Sequence, residues 1–274
     1  MELDRRAFLA SLGGVAAVEA MDSEAKAEAL EHFLMERLDE TAVGLGSPVM
    51  DGEAQVVPAP PEATIRRGAG SLFGPTGPAD NRRMAQLAPM PEKPTLVDFF
   101  NLRWAPANHV LQSATRALKT GMSEEIVLAC LLHDVVLNLV KVDHGWWGAQ
   151  MLEPYVSEKV SWAIRYHQAL RFYPDPAHGY EYPELYNRIF GRDYVPQPHI
   201  KQAYEYARNH KWYFEARMIT VNDLYAFDPK AVVSLDPFID IIGRHFKQPK
   251  EGLGNDNSPT AHMWRTMMFP DNPL

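Results

Sequence analysis

Hydrophobic positions recur at helical spacing along most of the chain, with almost none of the strict alternation that a half-buried strand requires. The densest run is Ile126 to Val140. There Ile126, Val127, Ala129, Cys130, Leu131, Leu132, Val135, Val136, Leu139 and Val140 cover nearly the whole circumference of a helix, which places it at the centre of a bundle. Ser123 is set to cap this helix, with Glu124 and Glu125 in its first turn. Before it, Ala107 to Lys119 reads as a helix stopped at Gly121. After it come helices from about His144 to Pro154 and from Ser157 to about Phe172, then a long helical region from His199 to about Tyr225. The expected fold is all-α, a helical bundle over residues 96–246.

The flanks follow other rules. Residues 21–44 hold an accessory helix, Ser23 to Glu40, with Leu30, Phe33, Leu34 and Leu38 roughly along one face. Residues 45–95 form a long irregular arm broken by Pro58-Ala59-Pro60-Pro61, Gly68-Ala69-Gly70, Gly74-Pro75 and Gly77-Pro78. A structureless stretch of that length is unusual inside a compact domain, so the expectation is a linker or a strap on the surface. Residues 247–274 read as an irregular C-terminal tail. At the other end, residues 1–20 resemble a twin-arginine export signal: Asp4-Arg5-Arg6-Ala7-Phe8-Leu9 leads into an apolar run to Val18, and Val18-Glu19-Ala20 is the candidate cleavage site. That resemblance implies a periplasmic protein; without it the expected compartment is the cytoplasm.

The chain has 274 residues, 46% of them hydrophobic, enough for one sizeable core. Its net charge of -8, from 27 Lys and Arg against 35 Asp and Glu, offers no basic field to a nucleic-acid backbone. Small-molecule chemistry fits better. The single cysteine, Cys130, lies in an apolar run and rules out an internal disulfide framework. No apolar stretch reaches the roughly 20 residues that span a bilayer. Nothing in the sequence reports oligomeric state.

His133 and Asp134 interrupt the most apolar helix of the chain. Burying such an ionisable pair costs several kcal/mol unless something neutralises it, and a divalent metal ion does so. Other polar residues arrive from other segments: His109 on the preceding helix, His144 at a helix start, His167 on the face of Val160, Ala163 and Ile164, and Asp223 late in the last long helix. Alone, His109 or His144 reads as an ordinary hydrogen-bonded core residue; together with the His133-Asp134 pair they read as ligands. Nitrogen and carboxylate donors without thiolate suit iron or manganese rather than copper or structural zinc.

Through His109-Val110-Leu111-Gln112-Ser113-Ala114, Leu131-Leu132-His133-Asp134, His144-Gly145, His167 and Asp223, residues 96–246 resemble the HD-domain superfamily. Within it the likeness is to the diiron oxygenases that cleave organophosphonates, with the inositol oxygenases as more distant relatives. The steps from His109 to His133, His144 to His167 and His167 to Asp223 are 24, 23 and 56 residues and look like that family's spacing. The step from Asp134 to His144, 10 residues, is shorter. The resemblance implies two metal ions, iron first and manganese or another divalent ion as the alternative. Asp134 would bridge them, His109, His133 and Asp223 would complete one site, and His144 with His167 the other. It further implies dioxygen as co-substrate and a small polar substrate, phosphonate-like or a polyol, whose anionic group Arg171 would receive one turn beyond His167.

The alternatives keep the same ligands. A metal-dependent phosphohydrolase would use the ions to activate water, but Val135, Val136 and Leu137 follow Asp134 where many HD hydrolases carry Gly and then Lys or His. A non-catalytic metal-binding protein is the third reading.

Overall fold

A computed structural model of the chain describes residues 26, 29–31, 33–35, 88–104, 107–137, 139–140 and 143–269. The expected export signal at 1–20, most of the arm at 45–95, and Lys141 lie outside them. The fold is all-α. Its helices are α1 (Leu96–Leu102), α2 (Asn108–Lys119), α3 (Glu124–Leu132), α4 (His144–Leu152), α5 (Glu158–Leu170), α6 (Glu184–Phe190), α7 (Pro198–Ala207), α8 (Tyr213–Leu224), α9 (Ile239–His245) and α10 (Ala261–Met268). Residues 26, 29–31 and 33–35 are also helical, as expected of the accessory helix. Among the described residues there is no strand, only a lone antiparallel bridge between Asp175 and Tyr180.

Local sequence explains where these helices start and stop. Thr95 and Asp98 form a capping box at α1, Thr95 Oγ1 accepting from the Asp98 amide and the Thr95 amide donating to the Asp98 carboxylate. Ser123 and Ser157 cap α3 and α5 through the amides of Ile126 and Val160. Gly121, at φ 71°, ends the α2 segment in the left-handed conformation that glycine adopts freely.

The packing is centred on α3 and α5. Every residue from Ile126 to Leu132 is buried, which matches a helix with no polar face. α3 packs on α2, α5, α8 and α9, and α5 packs on α4, α7 and α8. The site therefore lies where five helices, α2, α3, α4, α5 and α8, surround one interior.

Three expectations change. The central helix stops at Leu132 instead of running to Val140; His133 is its C-cap, and the chain continues in tighter turns, with the Leu137 amide donating to the Asp134 carbonyl. Two residues that must both face one cavity are better served by a turn than by a helix that separates neighbours by 100°. The region expected to run from His199 to Tyr225 is two helices. Between α7 and α8, His210 stacks on Trp162 at 4.1 Å and accepts the Trp212 amide through Nδ1. The break lets both helices lean on α5, with His210 at the joint.

The C-terminal tail, expected to be irregular, ends in α10. Trp264, Met267 and Met268 share one face and are buried, and the Trp264 ring meets Phe99 at 4.9 Å and Tyr155 at 5.7 Å. The i, i+3, i+4 spacing was present in the sequence, but short and isolated. No helix among the described residues is long and apolar enough to cross a membrane.

Candidate metal centre

His109, His133, Asp134, His144, His167 and Asp223 converge in one buried cluster, each less than a tenth exposed. α2 supplies His109, the turn after α3 supplies His133 and Asp134, the first residue of α4 is His144, and α5 and α8 supply His167 and Asp223. Asp134 sits between two sets of imidazoles. Its Oδ2 lies 3.4 Å from His109 Nε2 and 3.3 Å from His133 Nε2, while its Oδ1 lies 3.0 Å from His144 Nε2. Asp223 Oδ1 faces the first set, 2.9 Å from His109 Nε2 and 3.8 Å from His133 Nε2. The His167 ring lies 5.2 Å from that of His133 and 5.4 Å from that of His144.

Three of the imidazoles are turned by their own hydrogen bonds. Nδ1 of His109 donates to the Ala226 carbonyl at 3.2 Å, Nδ1 of His133 to Cys130 at 2.8 Å and Nδ1 of His167 to Ile164 at 2.6 Å. A carbonyl can only accept, so the proton of each neutral ring is at Nδ1 and the lone pair of Nε2 points into the cluster. This is the arrangement that metal-ligating histidines use. Nε2 of His109, His133 and His167 and Oδ1 of Asp134 are buried and make no hydrogen bond of ordinary geometry among the described residues. Donor atoms of His109, His133 and Asp223, and again of His133, Asp134 and His167, lie within 4.8 Å of one another. The residues present thus fit a metal ion: orphaned lone pairs and two carboxylates in a dry interior.

Surrounding groups hold this geometry. His109 stacks on Phe227 at 4.3 Å. Gln112 clamps the segment after α8, donating to the Asp228 carbonyl at 3.0 Å and accepting the Asp228 amide at 2.9 Å. On α8 one polar face is spent on α5: Arg217 donates to the Leu170 carbonyl at 3.0 Å, Thr220 donates to the His167 carbonyl at 2.8 Å, and Asp223 follows at the cluster. Gln168 accepts the Gly145 amide through Oε1 at 2.5 Å and brings Nε2 to 3.1 Å from His144 Nδ1. Any Cβ on Gly145 would meet Gln168 Oε1 at 2.7 Å and the Ile164 carbonyl at 2.9 Å, so the approach of α4 to α5 requires glycine there. Asp143, just before His144, takes the left-handed φ of 57°, a strained conformation that Asp tolerates better than most residues.

The charges respond to this crowding. Burial alone would lower the pKa of His109, but Asp134 and Asp223 outweigh it and raise it to about 10. Burial would raise both carboxyls, yet His133, His144 and His109 hold Asp134 well below its ordinary range, and His109 with His133 does the same for Asp223. His167 is pushed well below the usual value, first by burial and then by His133 and His144. Without an ion, a proton on His109 takes part of its place.

Beside the cluster is a cavity of about 80 Å³, walled by Met35, Phe100, Trp104, His109, Asp134 and Leu137. A larger one, about 430 Å³, has Gln168, Trp146 and Arg165 in its walls. Arg171 is no surface charge: it is 2% exposed, and its NH1 lies 2.9 Å from Glu31 Oε1 of the accessory helix. Sequence reasoning missed Glu31, Gln168 and Thr220. Only Thr220 left a trace, as the middle member of the i, i+3, i+6 series Arg217, Thr220, Asp223.

No protein-family model matches the chain. The chain is similar to a known enzyme, the (1-hydroxy-2-(trimethylamino)ethyl)phosphonate dioxygenase (glycine-betaine-forming) of Leisingera caerulea, 32% identical over 94 residues. The match covers 30% of this chain and 46% of that enzyme, so the chain spans about half the length of its curated relative.

Proposed function

We propose that this chain is a metal-dependent oxygenase of the HD-domain type, holding two ions, iron in both positions, and using dioxygen to oxidise or cleave a small polar substrate. The observation that carries this reading is the position of Asp134. One carboxylate oxygen faces His109 and His133 while the other faces His144, which suits a bridge between two ions. His109, His133 and Asp223 would hold one ion, and His144 with His167 would hold the other. The similarity to a phosphonate dioxygenase supports oxygenation, and supports a substrate with an anionic group.

Bound as a pair, the ions would supply dioxygen activation and Lewis-acid polarisation of the substrate. The chain's own residues do the rest. Phe100, Trp104 and Leu137 wall the approach with apolar surface and exclude bulk water, which strengthens every charge interaction inside. Arg171, one turn beyond His167 on the same face of α5, receives the anionic end of the substrate.

Metal analysis of protein prepared without added ions, followed by oxygen-electrode measurement with phosphonate and polyol substrates, tests the reading. Two irons per chain and substrate-dependent dioxygen uptake are expected. Phosphate release from an organophosphate with no dioxygen uptake would replace oxygenation by hydrolysis, and bound metal with neither reaction would leave a non-catalytic protein.

A further inference from the structure

The cavity beside the metal cluster is too small for any substrate of the proposed class. At about 80 Å³ it admits two or three waters or a dioxygen molecule, given the ~30 Å³ that a water occupies in the liquid. Pockets that take small-molecule ligands begin near ~300 Å³. One of its walls is Met35, which belongs to the accessory helix and not to the bundle. That same helix buries Leu30 completely and sends Glu31 into the body.

Arg171 and Tyr186 help to hold Glu31 there. Its Oε1 lies 2.9 Å from Arg171 NH1 and accepts the Tyr186 hydroxyl at 3.0 Å. Tyr180 braces the other side of the arginine, its hydroxyl donating to the Arg171 carbonyl at 2.7 Å. Glu31, Arg171, Tyr180 and Tyr186 are all less than a tenth exposed. Arg171 follows His167 by one helical turn at the end of α5, and Asp223 contributes, after burial, Glu31 and Tyr180, to raising the Tyr186 phenol.

A guanidinium and a phenol converging on one oxyanion, a turn from the metals, is a ready-made receptor for a carboxylate or phosphonate. In this structure a carboxylate of the chain itself fills it. We propose that Glu31 is an internal stand-in for the anionic group of the substrate, latching the accessory helix over the metal site until a small oxyanion such as a phosphonate displaces it. Glu31 is thus a specificity-determining residue. A substrate must offer a group that competes for Arg171 and Tyr186, and a neutral molecule leaves the helix in place. The proposal rests on the assignment of Arg171 to the anionic end of the substrate.

Calorimetry with methylphosphonate and inorganic phosphate, on full-length protein whose metal content is measured in the same sample, tests it. Glu31→Gln keeps the shape of the side chain and its bond to Tyr186 but removes the charge that competes for Arg171. The variant is expected to bind either anion at least ~10-fold more tightly than the parent, a clear change in free energy of binding. Adding Arg171→Met should abolish the gain. An unchanged affinity in folded Glu31→Gln, or a gain that survives loss of Arg171, would overturn the proposal, because a buried pair that merely ties the helix down predicts no gain in anion binding.

A second measurement leaves Glu31 intact. Cys130 is the sole cysteine and is buried, so Met35→Cys offers one reactive thiol on the covering helix. Methylphosphonate should speed its alkylation several-fold, and an unaltered rate would count against displacement. Neither readout involves dioxygen or turnover. Failure here with two irons and oxygen uptake intact removes only the latch, whereas loss of the metals or of oxygen uptake removes the oxygenase reading.

Discussion

Two groups of charged side chains are sealed inside this bundle, about one turn apart on α5. Around Glu31 and Arg171 the charges are complementary: the Glu31 carboxylate meets the Arg171 guanidinium, and the Tyr186 hydroxyl donates to the same carboxylate. Around Asp134 and Asp223 they are not. Four imidazoles surround two carboxylates, three of the rings have Nδ1 committed to backbone carbonyls, and their Nε2 atoms converge without ordinary hydrogen bonds. Both clusters faced the same desolvation cost. The first meets it with chain atoms alone, and the second presents donor atoms that could hold a metal ion.

The contrast breaks most completely at Asp134. Asp134→Ala should strip the protein of both ions, and full metal content by plasma emission spectrometry in that variant would end the dinuclear assignment. His144→Ala should keep about one ion of two, since His109, His133, Asp134 and Asp223 remain.

In the self-neutralised cluster the loss should appear as stability rather than metal. Arg171→Met leaves Glu31 buried opposite an apolar chain, and breaking a buried pair in this way costs about 3–5 kcal/mol. Urea unfolding should report that loss while metal content stays at the parent value. A drop in metal with no drop in stability would mean that the two clusters are one.

A third cluster, on the surface, sets the lower end of the scale. Glu124 accepts from Arg244 at 2.9 and 2.7 Å and lies 2.7 Å from His245. Hydrogen bonding to Arg244, then to His245, lowers its pKa from 4.5 to about 2. A depressed carboxyl contributes stability above its unfolded value and loses it as pH falls from about 4.5 towards 2. Because these groups are exposed and salt screens them, Arg244→Ala should shift the acid-unfolding midpoint only slightly, and not at all at high salt.

How much of this was legible depended on the reach of each interaction. His133 and Asp134 stood out because their immediate neighbours are apolar, and the helices around them were readable from caps and periodicity. The end of α3 at Leu132 was hidden, because the hydrophobic run continues past it. The break at His210 was hidden because it depends on a ring, Trp162, far back in the chain. Glu31 looked like one more acid on a helix. Its partners Arg171 and Tyr186 lie 140 and 155 residues away, and no local pattern pairs residues over such a distance.

The sequence by itself determined the fold class and the donor set: residue periodicity at three to four positions makes helices, and imidazoles and carboxylates within apolar runs make a cluster that could hold a metal ion. Tertiary structure alone decided which oxygen of Asp134 faces which imidazoles, and that Arg171 is met by Glu31. Helix formation is governed by neighbours within a turn, whereas the meeting of side chains from five helices depends on how whole elements pack, and that information is spread over the entire chain.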